Sequence, residues 1–477
     1  MKKIPLLFLS ISLFLGHAAT AAEPEKPNIM FIFADDLTYE GIRAFGYTDI
    51  DTPNLDKLVS RGTTFTHAYN MGSWSPAVCM PSRAMLNTGR YVWSAKGALK
   101  TLEKERDRGV MWSQLMSKAG YRTYMTGKWH VAVDAESVFD VAAHVRGGMP
   151  EQTPEGYNRP KDGEPDIWSP YDKKFGGFWE GGTHWSEVLR DDALGFIDDA
   201  AKQEKPFFMY LAFNAPHDPH QAPKEYIDMY PEERIELPKS FLAEYPYGED
   251  IGAGRKLRDE RLAPWPRTEH SVKVNRAEYY ALITHMDAQI GHILDALEAS
   301  GKADNTVIFF SADHGLSCGH HGLLGKQNSF DNSTRVPFMM VGPGIPAGKS
   351  ISQPIYYQDL MATSLALAGA EKPDHVDFQD LMPIIRGEKE TKLEAVYGAY
   401  VDFQRSVTKD GWKLILYPNI KKALLFDLKS DPLEMNDMAG NPEQESRMKA
   451  LFSALQKLQK ENGDELDLTE TYSSLAL

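Results

Sequence analysis

Four apolar segments of this chain each run directly into a cluster of acidic, basic or imidazole side chains, and no other feature constrains the fold as strongly. These are Asn28–Ala34 before Asp35 and Asp36, residues 121–126 before Lys128 and His130, residues 206–213 before His217, and residues 306–310 before Asp313 and His314. Such continuous apolar runs predict strands buried on both faces, as in a parallel sheet. With helices between them, they indicate an open α/β sheet whose ligands bind at the carboxyl ends of the strands.

The predicted organisation is a large α/β domain followed by a smaller C-terminal unit. Residues 139–185 and 219–275 are rich in Gly, Pro, aromatic and charged side chains, which indicates long loops over the strand ends. From about residue 394 the pattern changes to short alternating segments and a closing helix at 443–459. We therefore expect a central, mostly parallel sheet flanked by helices at 23–393, and an α+β subdomain with an antiparallel sheet at 394–477.

Composition excludes several classes of protein. The 477 residues are 42% hydrophobic and 25% charged, which is typical of a globular chain and not of a disordered or coiled-coil protein. The net charge is −15, and an acidic surface repels the phosphates of nucleic acid. We therefore expect no nucleic-acid partner, although a local basic pocket is compatible with this balance.

The N-terminus predicts export. Lys2 and Lys3 precede an apolar run at residues 4–15, and small residues follow at 18–22. This order is typical of a cleavable signal peptide and the run is too short for a membrane span, so residues 1–22 are assigned to a signal peptide. A periplasmic or secreted protein is expected, without a membrane span.

Cysteine is scarce for an exported protein of this size. Cys79 and Cys318 are the two cysteines of the sequence. Either they form one disulfide, or Cys79 is kept for its own chemistry and Cys318 is a free buried thiol. The residues that follow Cys79 favour the second interpretation.

The string Cys79-Met80-Pro81-Ser82-Arg83, with Thr88-Gly89 after it, resembles the sulfatase signature, in which the cysteine is converted to formylglycine. The resemblance extends along most of the chain. The further matching strings are Asp35-Asp36, Thr126 to His130, Ala215-Pro216-His217, Asp313-His314-Gly315, Lys326, Arg335-Val336-Pro337, and the C-terminal Leu425 to Leu428 and Asp431 to Glu434. So many motifs in the family's order make a strong signal.

The residue types suit the chemistry that this resemblance implies. A sulfate ester is anionic, so its site needs fixed positive charge and hydrogen-bond donors. Asp35, Asp36 and Asp313 carry hard oxygen ligands that suit Ca²⁺ in preference to Mg²⁺. The cofactors expected are therefore Ca²⁺ and a formylglycine made from Cys79 by a maturation enzyme.

The resemblance also implies individual roles. The hydrated formylglycine at position 79 attacks sulfur and later expels sulfate. The other positions match as follows: Asp35, Asp36, Asp313 and His314 as metal ligands, Arg83 steadying the aldehyde hydrate, Lys128 and Lys326 binding the sulfate, His217 as general acid for the leaving alcohol, and His130 as the base that helps release sulfate. Histidine suits both proton roles because its ordinary pKa lies near neutrality.

This sequence departs from the common family pattern at three positions. Asn87 stands where Leu is most frequent, His314 where many members have Asn and others His, and Asp331 where Glu is common. We expect Asn87 to be accommodated by packing and Asp331 to be structural. His320 and His321 are adjacent and point apart, which favours a structural or sulfate-pocket role over a second metal pair.

The predicted function is the hydrolysis of sulfate esters, with a sulfated carbohydrate as the substrate. The export signal and the two long aromatic loops favour a sugar, and His220 is predicted to approach the sugar beside the sulfate. Two alternatives stay open. One is a phosphonate or phosphodiester hydrolase of the same alkaline phosphatase superfamily, and the other is a non-catalytic protein that binds sulfated glycans.

Overall fold

The computed structural model describes residues 26–150 and 153–475, so the predicted signal peptide lies outside the described residues. The strands are β1 Asn28–Ala34, β2 Thr63–Phe65, β3 Ala68–Tyr69, β4 Gly72–Ser73, β5 Arg122–Lys128, β6 Val141–Arg146, β7 Trp179–Glu180, β8 Thr183–His184, β9 Phe207–Ala212, β10 Thr306–Ala312, β11 Arg335–Val336, β12 Phe338–Val341, β13 Lys349–Ile351, β14 Ile355–Tyr356, β15 Val396–Tyr400, β16 Gln404–Lys409, β17 Trp412–Tyr417 and β18 Lys422–Asp427. The helices are α1 Pro53–Arg61, α2 Cys79–Thr88, α3 Val92–Ala98, α4 Leu102–Arg108, α5 Trp112–Lys118, α6 Trp185–Ala201, α7 Lys224–Ile227, α8 Glu269–Ala299, α9 Asp331–Thr334, α10 Asp359–Leu367, α11 Met382–Ile385 and α12 Glu445–Asn462.

An eight-stranded sheet forms the centre, in the order β13-β2-β12-β10-β1-β9-β5-β6. The five strands from β10 to β6 run parallel, whereas β12 is antiparallel to both of its neighbours. The predicted α/β class is therefore confirmed. All four strands predicted from the apolar segments are neighbours in this parallel part, so their carboxyl ends meet at one edge.

Helices cover the sheet because both of its faces are apolar. Every residue of β1 is buried, and Trp112 of α5 packs its ring 5.7 Å from Phe31 and 4.8 Å from Phe208. The long helix α8 packs against α6, and α6 contacts β5 and β9. No helix of the described residues has the length and apolarity that a membrane span requires.

A second sheet of five strands, in the order β18-β17-β16-β15-β4, lies beside α12. Its four C-terminal strands are antiparallel, as predicted, whereas β4 joins from residues 72–73 and pairs parallel with β15. The C-terminal sheet is thus completed by a segment that lies just before the signature. Among the elements that were not predicted are β16 and β6, and β6 lies within the segment that the sequence indicated to be a loop.

Candidate active site

Three carboxylates meet at the carboxyl edge of the central sheet. Strands β1 and β10 pair Ala34 with Ala312, so Asp35 and Asp313 leave the sheet side by side. The backbone N–H of Asp36 donates to Asp313 Oδ1 at 3.1 Å. Asp36 has φ of +66°, an uncommon conformation for a non-glycine residue, which turns the chain sharply after the strand. All three side chains are buried.

Cys79 is the first residue of α2 and lies against this carboxylate cluster. Its Sγ is 3.2 Å from Asp35 Oδ1 and 3.5 Å from Asp36 Oδ1, and Lys326 Nζ approaches it to 3.2 Å. Burial, together with the charges of Asp313, Asp35 and Asp36, raises the pKa of the Cys79 thiol well above its usual value. Cys79 and Cys318 are both free and buried, so these two residues are not joined in a disulfide.

Arg83 ties the signature helix to the sheet. Its Nε donates to Asp313 Oδ2 at 3.0 Å, and its Nη1 donates to the Lys128 carbonyl at 2.6 Å. The guanidinium also lies over the ring of Phe33, 4.7 Å from the centroid. A fully buried arginine is stable here because it has a carboxylate partner and an aromatic face.

Two lysines flank the same cluster, each paired with one carboxylate. Lys128 Nζ contacts Asp35 Oδ2, and Lys326 Nζ contacts Asp36 Oδ2. A register shift in β5 at Gly127, whose φ is +89°, precedes Lys128. A Cβ at Gly127 would lie 2.0 Å from the Ala212 carbonyl oxygen, so this position requires glycine.

The electrostatics of the cluster suit a divalent cation. Burial raises the pKa of Asp35 and that of Asp36 to about 6, and the charge of Asp313 contributes to both shifts. Burial alone would also raise the pKa of Asp313, but Arg83 and Lys128 outweigh it and lower that pKa below its usual value. Ligand atoms of Asp35, Asp36, Asp313 and Cys79 lie within 4.8 Å of one another. Carboxylate oxygens crowded in this way fit Ca²⁺, which prefers oxygen donors.

His314, the fourth predicted metal ligand, is also buried beside the cluster. Its Nδ1 lies 3.2 Å from the carbonyl oxygen of Gly315. Burial, with the charge of Lys326, lowers the pKa of His314 to about 4, so the ring is neutral at physiological pH. The group of close ligand atoms given above does not include His314, so its coordination stays a prediction.

The two histidines with predicted proton roles both line the cavity in front of Cys79. His217 has Nε2 3.5 Å from Asp36 Oδ2 and Nδ1 3.0 Å from Asp218 Oδ1. His130 follows β5 with φ of +53°. Burial lowers the pKa of His130 to about 3, with further contributions from Lys128 and Arg83, so its imidazole is neutral.

The cavity has a volume of about 360 Å³ and opens above Cys79. Its described walls are Pro76 to Cys79, Lys128, His130, Gly148, Met149, His217, Leu257 to Asp259, Lys326 and Gln327. Both long segments therefore reach it, one through Gly148 and Met149 and the other through Leu257 to Asp259. His220 is not part of this wall: it is buried, with its ring 5.2 Å from that of Tyr279. The predicted sugar contact of His220 stays a prediction.

Asn70 and Tyr357 contact the site, although no sequence motif marks either of them. Asn70 donates to the Asp313 carbonyl at 2.5 Å and to Ser82 Oγ at 2.8 Å. Ser82, a signature residue, also contacts the Tyr357 hydroxyl at 2.6 Å. These bonds join distant parts of the chain and orient the loop that carries Asp313. Spacing cannot reveal them, because each contact forms only when the fold brings the partners together.

Comparison with known families agrees with this geometry. A family model described as Sulfatase matches residues 27–370. A second model, described as N-sulphoglucosamine sulphohydrolase, C-terminal, matches residues 319–461. An ulvan-active sulfatase of Formosa agariphila is 27% identical, and the alignment covers 94% of this chain and 84% of that protein. An N-acetylglucosamine-6-O-sulfatase of Bacteroides thetaiotaomicron is 25% identical, with 97% and 91% covered.

Solved structures share the fold. The structure of BT4656 in complex with D-glucosamine-2-N,6-O-disulfate superposes with a TM-score of 0.72 at 23% identity, covering 92% of this chain and 99% of the other. The phosphonate monoester hydrolase of Agrobacterium radiobacter superposes with a TM-score of 0.69 at 21% identity, covering 94% and 97%. At these identities the likeness establishes the fold.

Proposed function

We propose that this chain, which belongs to the sulfatase family and hydrolyses sulfate esters, removes sulfate from a carbohydrate. The relatives named for ulvan and for N-acetylglucosamine support a sugar substrate. The observation that carries the proposal is the cavity above Cys79, because it places lysines and histidines beside the candidate nucleophile in a space large enough for a sugar ring. We further propose export to the periplasm or the medium, on the basis of the N-terminal charge and hydropathy pattern.

We propose that Cys79 is the site of formylglycine. Hydrated formylglycine would supply two hydroxyl groups on one carbon. One would form the bond to sulfur, and the other would lose its proton when the aldehyde forms again and sulfate leaves. A maturation enzyme must act before this buried residue is enclosed by the fold. Asp35, Asp36 and Asp313 would hold Ca²⁺, which supplies positive charge beside the nucleophile.

The sulfate group belongs between Lys128 and Lys326. Both side chains line the cavity, and Lys326 Nζ is already 3.2 Å from Cys79 Sγ. Two fixed ammonium groups stabilise the negative charge that is shared by the sulfate and the leaving oxygen during transfer. Arg83 lies behind them and holds Asp313 and the Lys128 backbone in position.

We assign to His217 the protonation of the leaving alcohol. Asp218 lies against its Nδ1, which leaves Nε2 as the nitrogen on the other side of the ring. Nδ1 also lies 2.7 Å from the backbone carbonyl of Asp218, which orients the ring, and Nε2 gives a proton to the leaving oxygen when both ring nitrogens are protonated. His130 is half-buried in the wall of the same cavity and is neutral, as a proton acceptor during sulfate release must be.

The test is the release of inorganic sulfate by matured, Ca²⁺-loaded protein from sulfated galactan, glycosaminoglycan and mucin oligosaccharides. Cys79→Ala is the inactive control, and mass spectrometry verifies formylglycine. Release from one class of glycan, absent in the control, supports the proposal. Hydrolysis of matched aryl phosphonates or phosphodiesters in preference to aryl sulfates would favour the alternative hydrolase. Ca²⁺-dependent binding of sulfated glycans without turnover would favour the non-catalytic alternative.

A further inference from the structure

One cation in the wall of the active-site cavity has no role in the chemistry described above. The described lining contains three permanently charged cations, Lys128, Lys326 and Arg258. The two lysines flank Cys79, where the sulfate is transferred. Arg258 comes from the long segment at residues 219–275 and lies on the side of His217, with its Nη2 3.4 Å from His217 Nε2.

Two buried carboxylates hold the guanidinium in place. Nη2 of Arg258 lies 3.3 Å from Asp218 Oδ1 and 2.5 Å from Asp259 Oδ1. Each carboxylate also has another donor, since the Tyr157 hydroxyl contacts Asp218 and Gln327 Nε2 donates to Asp259 at 2.7 Å. Neither acid therefore depends on Arg258 alone, and the arginine is oriented in advance of any ligand.

The remaining donors of Arg258 are poorly used. Its Nη1 contacts the thioether sulfur of Met149, which is a weak acceptor, and its Nε has no hydrogen-bond partner among the described residues. The side chain is 29% exposed, so a ligand in the cavity can reach the guanidinium on the side of Met149, although Nε itself is buried. Burial alone would lower the pKa of Arg258, but Asp218 and Asp259 raise it above its usual value, so the group stays charged.

We propose that Arg258 binds a second anionic group of the substrate, a carboxylate or a further sulfate, on the sugar that carries the scissile ester. The planar fork of a guanidinium matches the two oxygens of either oxyanion, and the methionine thioether is flexible enough to give way to them. The position beside His217 places this group next to the leaving oxygen. The inference rests on the proposed function, because it presumes that the ester is carried by a sugar.

The experiment compares kcat/KM for sulfated sugars that are identical except for a second sulfate or a carboxylate. Three Ca²⁺-loaded proteins are used: the wild type, Arg258→Gln and Arg255→Gln. Arg255 lies on the same segment, its side chain is 58% exposed and it pairs with Glu244, so it is a matched control. A simple aryl sulfate reports whether the substitution disturbs catalysis itself.

We expect the second anion to raise kcat/KM of the wild type and of Arg255→Gln by about tenfold to a hundredfold, and Arg258→Gln to lose this gain. The gain with the carboxylate sugar or with the disulfated sugar identifies which anion is bound. On the aryl sulfate, Arg258→Gln should lose less than on the sugar with the second anion, because only an indirect effect through His217 and Asp218 acts there.

Three results would overturn the inference: no gain from a second anion in the wild type, a gain that persists in Arg258→Gln, or an equal loss on the aryl sulfate. The last would mean that Arg258 acts through His217. If aryl sulfates are hydrolysed and no sugar sulfate is, the proposed function fails. The same comparison on aryl sulfates with and without a ring carboxylate then decides the role of Arg258.

Discussion

The substitution Lys413→Met tests how the second sheet is joined to the catalytic part of the chain. Lys413 is buried in β17, with Nζ 2.6 Å from Asp331 Oδ1 and 2.7 Å from Glu434 Oε1. Asp331 opens α9, in the segment between Lys326 and Arg335. Removing one partner of a buried ionic group leaves the others uncompensated, which typically costs about 3–5 kcal/mol. We therefore expect a loss of this size in the free energy of unfolding.

A matched control comes from the neighbouring strand. Lys422 in β18 pairs with Asp437 at 3.2 Å, but this pair is about one third exposed. Exposed pairs contribute about 0–1 kcal/mol, so Lys422→Met should cost less than 1 kcal/mol. Urea unfolding of Ca²⁺-loaded protein, followed by tryptophan fluorescence, gives both differences.

The pH dependence of the loss supplies a second check. Burial raises the pKa of Glu434 to about 7, against about 4.3 when unfolded, so the folded protein retains a proton that the unfolded chain releases. The stability associated with this proton is complete below about pH 4.3 and is lost as pH rises through 7. Lys413 lowers the pKa of Glu434, so this pKa is higher in Lys413→Met. The free energy of unfolding of the variant therefore continues to fall with rising pH above pH 7. The loss should grow between pH 6 and 8 by up to about 1.4 kcal/mol per unit.

Two results would refute this reasoning. One is an effect of Lys413→Met no larger than that of Lys422→Met. The other is a loss that stays constant or shrinks between pH 6 and 8. Either would show that water already solvates the two carboxylates, so that the ion cluster does not connect the sheets.

Three further predictions concern the site. Chelation with EDTA should lower Tm, because the three clustered carboxylates repel one another, and at 100 times its Kd Ca²⁺ adds about 2.7 kcal/mol; calorimetry that shows no shift would exclude the metal site. Lys326→Ala should lower kcat/KM for sulfate release by about a hundredfold or more, since one of two cations at the sulfate is lost; an unchanged value would move the sulfate elsewhere. Glu260→Gln should destabilise by about 3–5 kcal/mol, because Arg267 loses a buried partner at 2.7 Å, and thermal unfolding measures it. It should also lower kcat, since Glu260 accepts the Leu324 and Gly325 N–H groups just before Lys326; a variant of full stability and activity would contradict both expectations.

The parallel strands were predictable because burial on both faces leaves a continuous apolar signal. The predicted bounds of β1 agree with the structure, and β9 and β10 differ from prediction by one or two residues at their ends. In helix α8 the apolar residues follow helical spacing only from residue 277 onward, although the helix begins at Glu269. Its first two turns are largely polar, so the apolar periodicity starts only after them.

Two of the missed strands, β6 and β16, lack that signal for identifiable reasons. Strand β6 is half-buried at the edge of the sheet and lies beside the Gly-Gly pair at 147–148, which indicates a loop. Strand β16 reads Gln-Arg-Ser-Val-Thr-Lys, which has little apolar alternation, and its pairing with two neighbours fixes it instead. Local propensity is a weak guide where cross-strand contacts decide.

The residues of the site also include some that the sequence predicted and some that it did not. The resemblance to the sulfatase family predicted Cys79, the three carboxylates and the two lysines as site residues, and the structure brings all of them together. Arg258 and Asn70 were missed, since each reaches the site from a segment with no motif of its own. The sequence predicted that residues 219–275 would line the substrate cavity, and the structure identifies the residues that do so as Leu257 to Asp259.

Two of the carboxylates at the centre pair with lysines and are also candidate ligands for a cation. Asp35 and Asp36 contact Lys128 and Lys326, and the same two acids are candidate ligands for Ca²⁺. A cation that attracts the oxygens of Asp35 and Asp36 would weaken their ion pairs with the lysines. The ammonium groups would then be available to a sulfate. Arg83 keeps Asp313 fixed meanwhile through its Nε bond of 3.0 Å. Metal binding and anion binding would therefore be coupled at one edge of the sheet, because neighbouring strands deliver both kinds of charge.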